Sequence, residues 1–318
     1  MSIINTTTAC HNHSTGQTDI VFVSVYSVIS VMGLVLNVTA LVIFRHTKSR
    51  SHTTVYMTNL AVADLLLVLT LPMRIYYHLG YTDLPQKLCD WVGLVLLANM
   101  YGSIFLLTCI CFDRCMAVTF PMSPRVQEAR KKAPLICIGV WTLTFGASLP
   151  VYLSRWNVSR EEHCFETLPV YATRPVVIFS TLSVGFGIPL AVMLICSWGL
   201  VRAIRRSTAA QTDLVDSKKI QRMIAASLFI FLLSFLPYHA TLGILYLYGK
   251  AIPCTLLAAY HYSLMVACLN AMLDPIAYYF TTETFRRKVD MDAVRKMLPL
   301  NSQGSIEANS KSRGPINT

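Results

Sequence analysis

Three charged side chains stand where nearly every neighbour is apolar. Asp64 lies inside NLAVADLLLVL, Asp274 inside NAMLDPIAYY, and Arg74 follows LPM towards the end of the same apolar run as Asp64. An ionised group in such company is costly, so each is a candidate for function. The two carboxylates, with Asn37 and Asn270 in similar settings, offer hard oxygen donors. Either they are polar contacts between packed helices, or they share a hydrated cluster that suits a sodium ion. Arg74 presents a planar fork of N–H donors that matches phosphate or carboxylate; the alternative is a side chain snorkelling to a polar interface. No HExxH motif, paired GxGD aspartates or Ser–His dyad occurs in a workable context, so the chain is read as no enzyme.

The elements that carry these groups must be membrane spans. Apolar residues make up 54% of the 318 and charged residues 14%, against about 25% charged in an average soluble domain. Stretches long enough to cross a bilayer lie at 20–44, 53–77, 89–118, 134–153, 175–201, 221–247 and 255–280. The expected fold is an all-α membrane protein, a seven-transmembrane helix bundle. Residues 1–19 form a polar tail without the basic and apolar regions of a cleaved leader, so the first span is expected to act as an uncleaved anchor. Residues 282–297 mix Phe285, Val289 and Val294 with basic residues, as in a short amphipathic helix on the membrane surface, and 298–318 read as a disordered tail. No internal repeat or pair of broken half-helices suggests a transporter.

Charge placement orients the bundle. The net charge of +11 is concentrated in short segments: Arg45, Lys48 and Arg50; Arg125, Arg130, Lys131 and Lys132; Arg202, Arg205, Arg206, Lys218, Lys219 and Arg222; and Arg286, Arg287 and Lys288. The positive-inside bias puts these in the cytoplasm and the N-terminus outside. The same placement excludes nucleic acid as a partner, because no basic stretch lies beside stacking aromatics in a soluble unit. Sequons at Asn5, Asn12 and Asn157 all fall on the outer side, whereas Asn37 sits within a span and should go unmodified. Pro189, Pro237 and Pro275 interrupt otherwise apolar spans and mark places where helix halves can swing.

The ordered motifs resemble the rhodopsin-like, or class A, G-protein-coupled receptors: GLVLN with Asn37, NLAVADL with Asp64, DRC with Asp113 and Arg114, Trp141, Pro189, FLLSFLPYH, and DPIAY from Asp274 to Tyr278. The resemblance implies a plasma-membrane receptor that activates heterotrimeric G proteins. It implies that Arg114 pairs with Asp113 at rest and is released when the sixth helix swings. Phe231, Phe235 and Pro237 would form the sixth-helix switch, with Pro275 and Tyr278 acting from the seventh. The buried Asn37, Asp64 and Asp274 form the expected sodium site, and no other cofactor is expected. Disulfides Cys89–Cys164 and Cys10–Cys254 follow from the same likeness; the remaining six of the ten cysteines lie in spans. Cys115 after Arg114, Phe235 before Leu236, Asp274 and Ser197 depart from the commonest class pattern, and the Phe and Asp variants fit a purinergic-like branch.

Within that class the stretches TNLAVADLLLVLTLPMRIYY, ANMYGSIFLLTCICFDR, HCFETLP and DPIAYYFTTETFRRK resemble the non-Edg lysophosphatidic acid receptors, especially the sixth subtype. An anionic lipid ligand is therefore expected, and membrane lipids surround the bundle. Leu96 stands where amine receptors carry Asp, Cys268 where a retinal lysine would stand, and Leu242 where nucleotide receptors of the branch carry a basic residue. The expected ligand-binding set is Arg74, Tyr101, Arg174, Tyr238, His239, Lys250 and Tyr260, with Tyr76, Tyr77 and Tyr262 extending a half-polar wall. A nucleotide, a small carboxylate or another lysolipid is the alternative within the same receptor class.

Overall fold

The computed structural model describes residues 17–46, 51–81, 83–120, 122–156, 164–165, 174–206, 214–249 and 252–281. Within these, side chains are described except at 17–18, 150–156, 203–206, 214–219 and 277–281. All regular structure among the described residues is helical. The first three spans are Gln17–His46, His52–His78 and Gln86–Thr119. A short helix, Pro124–Lys131, precedes the fourth span, Ala133–Trp156. The fifth runs from Pro175–Ser180 through a π-helical turn, Thr181–Gly187, into Ile188–Arg206. The sixth is Leu214–Tyr248, and the seventh joins Cys254–Cys268 to Asn270–Thr281 across a turn at Leu269.

Six of these segments are long and apolar enough to cross a membrane outright. The bent pair Pro124–Lys131 and Ala133–Leu149, at 51°, supplies a seventh. Each of the seven expected stretches falls inside its observed helix. The helices overrun the apolar stretches because the backbone keeps its internal hydrogen bonds into the interface. Hydroxyls within the spans obey the same rule. Thr39, Thr58, Thr108, Thr142 and Ser197 each donate to a carbonyl four residues back, at 2.7–2.9 Å.

Apolar character alone does not decide which face turns inward, since lipid is as apolar as the bundle. Small and polar residues decide it. On the fourth helix Cys137, Val140, Thr144 and Ser148 are buried at helical spacing, whereas Leu135, Ile138, Leu143 and Leu149 stay exposed for lipid. Trp141 Nε1 donates 2.9 Å to Asn59 Oδ1 and ties this helix to the second. Gly33 permits the closest approach of the first: a Cβ there would stand 2.8 Å from the Val68 side chain and 3.6 Å from the Ala271 carbonyl oxygen.

The prolines act in different ways. Pro237 and Pro275 lie inside their helices, as does Pro72 in the second. Pro189 stands just past the π turn. A proline lacks the N–H and crowds the carbonyl four residues back, and a wider turn relieves both. Gly185 at that turn also lets Tyr101 approach, for a Cβ there would lie 2.9 Å from its ring. In the sixth helix the Thr241 hydroxyl sits 2.9 Å from the carbonyls of both Pro237 and Tyr238 and 3.1 Å from Ser263 Oγ on the seventh.

Candidate functional site

The functional residues form three levels along the bundle. At the level of the Cys89–Cys164 disulfide, the second helix brings Arg74 inward, and the side chain is only 6% exposed. That burial decides between the two sequence readings: Arg74 does not snorkel to the lipid interface. Its guanidinium lies 4.5 Å from the ring centre of Phe165 and near enough to the Tyr26 hydroxyl for its charge to act on it. Its Nε has no partner, and the ion pairs among the described residues, His78–Asp19 and Arg130–Asp113, leave it without a carboxylate. A desolvated, unpaired cation is a strong attractor for an anion.

Phe165 is a contributor that sequence reasoning missed. It follows Cys164 and adopts φ 64°, a left-handed conformation uncommon for a bulky residue. The disulfide and an edge contact with Tyr77 at 5.4 Å hold it there. Strain of this kind persists where surroundings over-determine it, and here it aims an aromatic face at Arg74. Tyr26 was also missed, because a tyrosine in SVYSVIS looks like any interfacial aromatic. Phe22 stacks on His78 at 4.5 Å and on Tyr262 at 5.0 Å, closing the space between first, second and seventh helices.

The structure gathers four of the other expected ligand residues. Tyr238 and His239 come from the sixth helix, Tyr101 from the third and Tyr260 from the seventh. His239 packs edge-on to Tyr101 at 5.9 Å and to Tyr238 at 5.0 Å, and Tyr260 lies 6.0 Å from Tyr238. His239 is 3% exposed; its Nδ1 is 2.8 Å from the Phe235 carbonyl, and its Nε2 has no partner. A carbonyl only accepts, so Nδ1 carries the proton and Nε2 of the neutral ring offers a lone pair to a donor such as a hydroxyl. Two residues of the expected set and wall stand apart from these groups. Arg174 is exposed at the start of the fifth span and joins neither group. Tyr76 turns away too, bonding Asp83 at 3.0 Å and stacking on Tyr81. Lys250 lies outside the described residues.

At mid-depth Asp64, Asp274, Asn37 and Asn270 are all fully buried, and the two carboxylates lie close enough to feel each other's charge. Asn37 is engaged through its amide nitrogen alone. Its amide donates to the Gly33 and Ala271 carbonyls at 2.9 and 2.7 Å, pinning the first helix to the seventh and leaving only Oδ1 without a partner. The same burial removes it from the sequons open to modification. Asn99 donates 3.2 Å to Asp64 Oδ1. Asp64 Oδ2, both oxygens of Asp274, both polar atoms of the Asn270 side chain and Ser103 Oγ have no partner. Asn99 and Ser103, one turn apart on the third helix, are additions the sequence signalled only by being polar in an apolar run. Between this level and the outer one, Phe186 stacks on His239 at 4.4 Å and on Phe231 at 5.4 Å, and Phe231 meets Phe235 edge-on at 5.6 Å.

At the opposite end from the disulfide, the expected pairing of Arg114 with Asp113 is not formed. Arg130, from the short helix, clasps Asp113 instead, with Nε 2.7 Å from Oδ1 and the second nitrogen 3.1 Å from Oδ2. Thr53 adds a 2.6 Å bond to Oδ2. The Nε of Arg114 is buried without a partner. A fork matched to both carboxylate oxygens outcompetes a neighbour that leaves the helix in a different direction. Pro237 and Pro275 occupy their expected places in the sixth and seventh helices, and the Tyr278 side chain lies outside the described residues. Cys254 is also disulfide-bonded; its expected partner Cys10 lies outside the described residues, as do Asn5, Asn12, Asn157 and the segments 1–16 and 282–318.

Comparison with known proteins supplies the family. Residues 7–278 match the family described as "7 transmembrane receptor (rhodopsin family)". Lysophosphatidic acid receptor 6 of Gallus gallus is 37% identical over 278 residues, 82% of this chain and 89% of that protein. Lysophosphatidic acid receptor 4 of Homo sapiens is 34% identical over 309 residues, 90% of this chain and 82% of that protein. Cysteinyl leukotriene receptor 1 of Homo sapiens is 31% identical over 294 residues, 88% and 87% of the two chains.

Proposed function

The chain belongs to the rhodopsin family of seven-transmembrane receptors, and from that premise we propose that it reads an extracellular anionic lysophospholipid, lysophosphatidic acid above all. As a member of the family it is a multi-pass plasma-membrane G-protein-coupled receptor and not an enzyme. The observation that carries the ligand reading is Arg74, a buried guanidinium with no carboxylate on it among the described residues. The phosphate takes Arg74, with the Tyr26 hydroxyl beside it. A glycerol hydroxyl finds the free lone pair of His239, and the acyl chain lies against the apolar faces of the third to fifth spans. A shift of His239 passes through Phe186 to Phe231 and Phe235, next to the break in the ladder at Pro237. The N-terminus lies outside and the tail in the cytoplasm, in keeping with the basic segments and with disulfides at the opposite end.

A lysophospholipid panel applied to cells lacking endogenous receptors, read with several G-protein reporters, tests this. Lysophosphatidic acid should evoke the strongest response. Silence to every lysophospholipid, with a response to a leukotriene or other carboxylated lipid, would transfer the Arg74 site to a carboxylate; the likeness to a cysteinyl leukotriene receptor makes that the second reading.

The mid-depth cluster suits a sodium ion, since Asp64 and Asp274, near enough to feel each other's charge, keep partnerless oxygens, and so does buried Asn37. Those residues would hold the ion, whose charge would offset two desolvated carboxylates. Asn99 orients Asp64, and Asn37 braces the seventh helix behind it. Exchange of choline for sodium at constant ionic strength should raise the thermal midpoint of the purified receptor, because an ion that binds only the folded state stabilises it. Asp64→Asn should lose that sodium increment entirely; an increment that survives in the variant would remove Asp64 from the site.

A further inference from the structure

Asp113 and Arg114 are neighbours in sequence, yet Asp113 is spent elsewhere. The carboxylate is 4% exposed and receives three charge-assisted hydrogen bonds, two from Arg130 and one from Thr53. It thereby joins three elements: the first turn of the second helix, the inner end of the third, and the last turn of Pro124–Lys131. Arg114 contributes nothing to this junction, and its Nε has no partner. Arg130 is 22% exposed and also walls a cavity of about 320 Å³ with His52, Phe120 and Lys131, so this arm reaches the inner surface.

We propose that Arg130 is a positioning residue for G-protein coupling: by occupying Asp113 it leaves Arg114 unpaired, and so sets a raised output in the absence of ligand. This rests on the reading of the end opposite the Cys89–Cys164 disulfide as the G-protein face. The physical basis is competition for one carboxylate. Arg130 approaches side-on and matches both oxygens, whereas Arg114 lies one residue on along the same helix, turned by about 100°. Thr53 adds a donor that reinforces the carboxylate where Arg130 holds it. When Arg130 is removed, the desolvated carboxylate is left with one hydrogen bond, from the uncharged Thr53 hydroxyl, and the nearest available cation is Arg114. A restraint that is absent in the native receptor would then appear.

The proposal inverts the effect expected where Asp113 restrains Arg114 directly, since Asp113→Asn should not raise basal output here. The test uses the full-length receptor in lipid nanodiscs with a purified G-protein heterotrimer, no ligand, and the rate of guanine-nucleotide exchange as readout. Arg130→Gln should lower basal exchange about fivefold. Within the Asp113→Asn background the same substitution should change nothing, because Arg130 acts only through that carboxylate. Arg130→Lys, which keeps the charge and loses the fork, should fall between. An equal fall in both backgrounds would overturn the proposal, pointing to direct contact with the G protein or to loss of folding. A rise in exchange on Arg130→Gln would overturn it as well, making the clasp a restraint. A wild-type receptor that accelerates no heterotrimer would instead sink the coupling reading beneath it.

Discussion

Arg74→Ala should move the lysophosphatidic acid concentration–response curve to about 100-fold higher concentration, a loss of about 2.7 kcal/mol. Hydrogen bonds to a charged partner are worth about 1.5–3 kcal/mol each, and a guanidinium fork offers phosphate two at once. The site is prepared in advance: Phe165 stacks on the guanidinium, and among the described residues no carboxylate competes for it. Arg74→Lys should recover only part of the loss, because an ammonium neither forks nor stacks. Receptor level at the surface should hold or rise in Arg74→Ala, since an uncompensated buried cation costs the unliganded fold. The check is a reporter assay normalised to surface receptor. An unaltered response in Arg74→Ala would remove the phosphate from this site while leaving the family assignment standing.

The second large effect concerns the disulfide over the same site. Cys89→Ser should lower the thermal midpoint of the purified receptor by roughly 5–10 °C, from a loss of about 2–5 kcal/mol. The bond closes a separation of 75 residues, so its loss frees a long segment in the unfolded chain. Potency should fall with stability, because Cys164 anchors the strained Phe165 that covers Arg74. Phe165→Ala separates the two effects: it should keep the midpoint close to wild type and still weaken the response. If Phe165→Ala signals as wild type does, the aromatic cover has no part in holding the anion.

The seven spans were legible because the bilayer leaves little choice. A stretch of apolar residues has no water to satisfy its backbone, so it becomes a helix whatever its neighbours do. The expected stretch 134–153 thus lies inside Ala133–Trp156, and 255–280 inside the two parts of the seventh span. Burial of Asp64, Asp274 and Asn37 was legible for the same reason. What the pattern left undecided is which way a side chain turns at an interface. Tyr76 and Tyr77 are adjacent aromatics at the end of one helix; Tyr77 packs inward against Phe165, while Tyr76 bonds Asp83 on the outside. Their types are identical, and only the rotation of the second helix separates them.

The sequence by itself determined the membrane-spanning architecture, the ends where charges gather, and the three charged groups worth explaining, because desolvation penalises those residues in any fold that buries them. Only the tertiary structure decided their partners. Arg74 found Phe165 and Tyr26 from elements 91 and 48 positions away in the chain, and Asp113 was taken by Arg130, not by its neighbour Arg114. Partner choice turns on direction and distance between helices, quantities that packing sets and that adjacency in sequence does not contain.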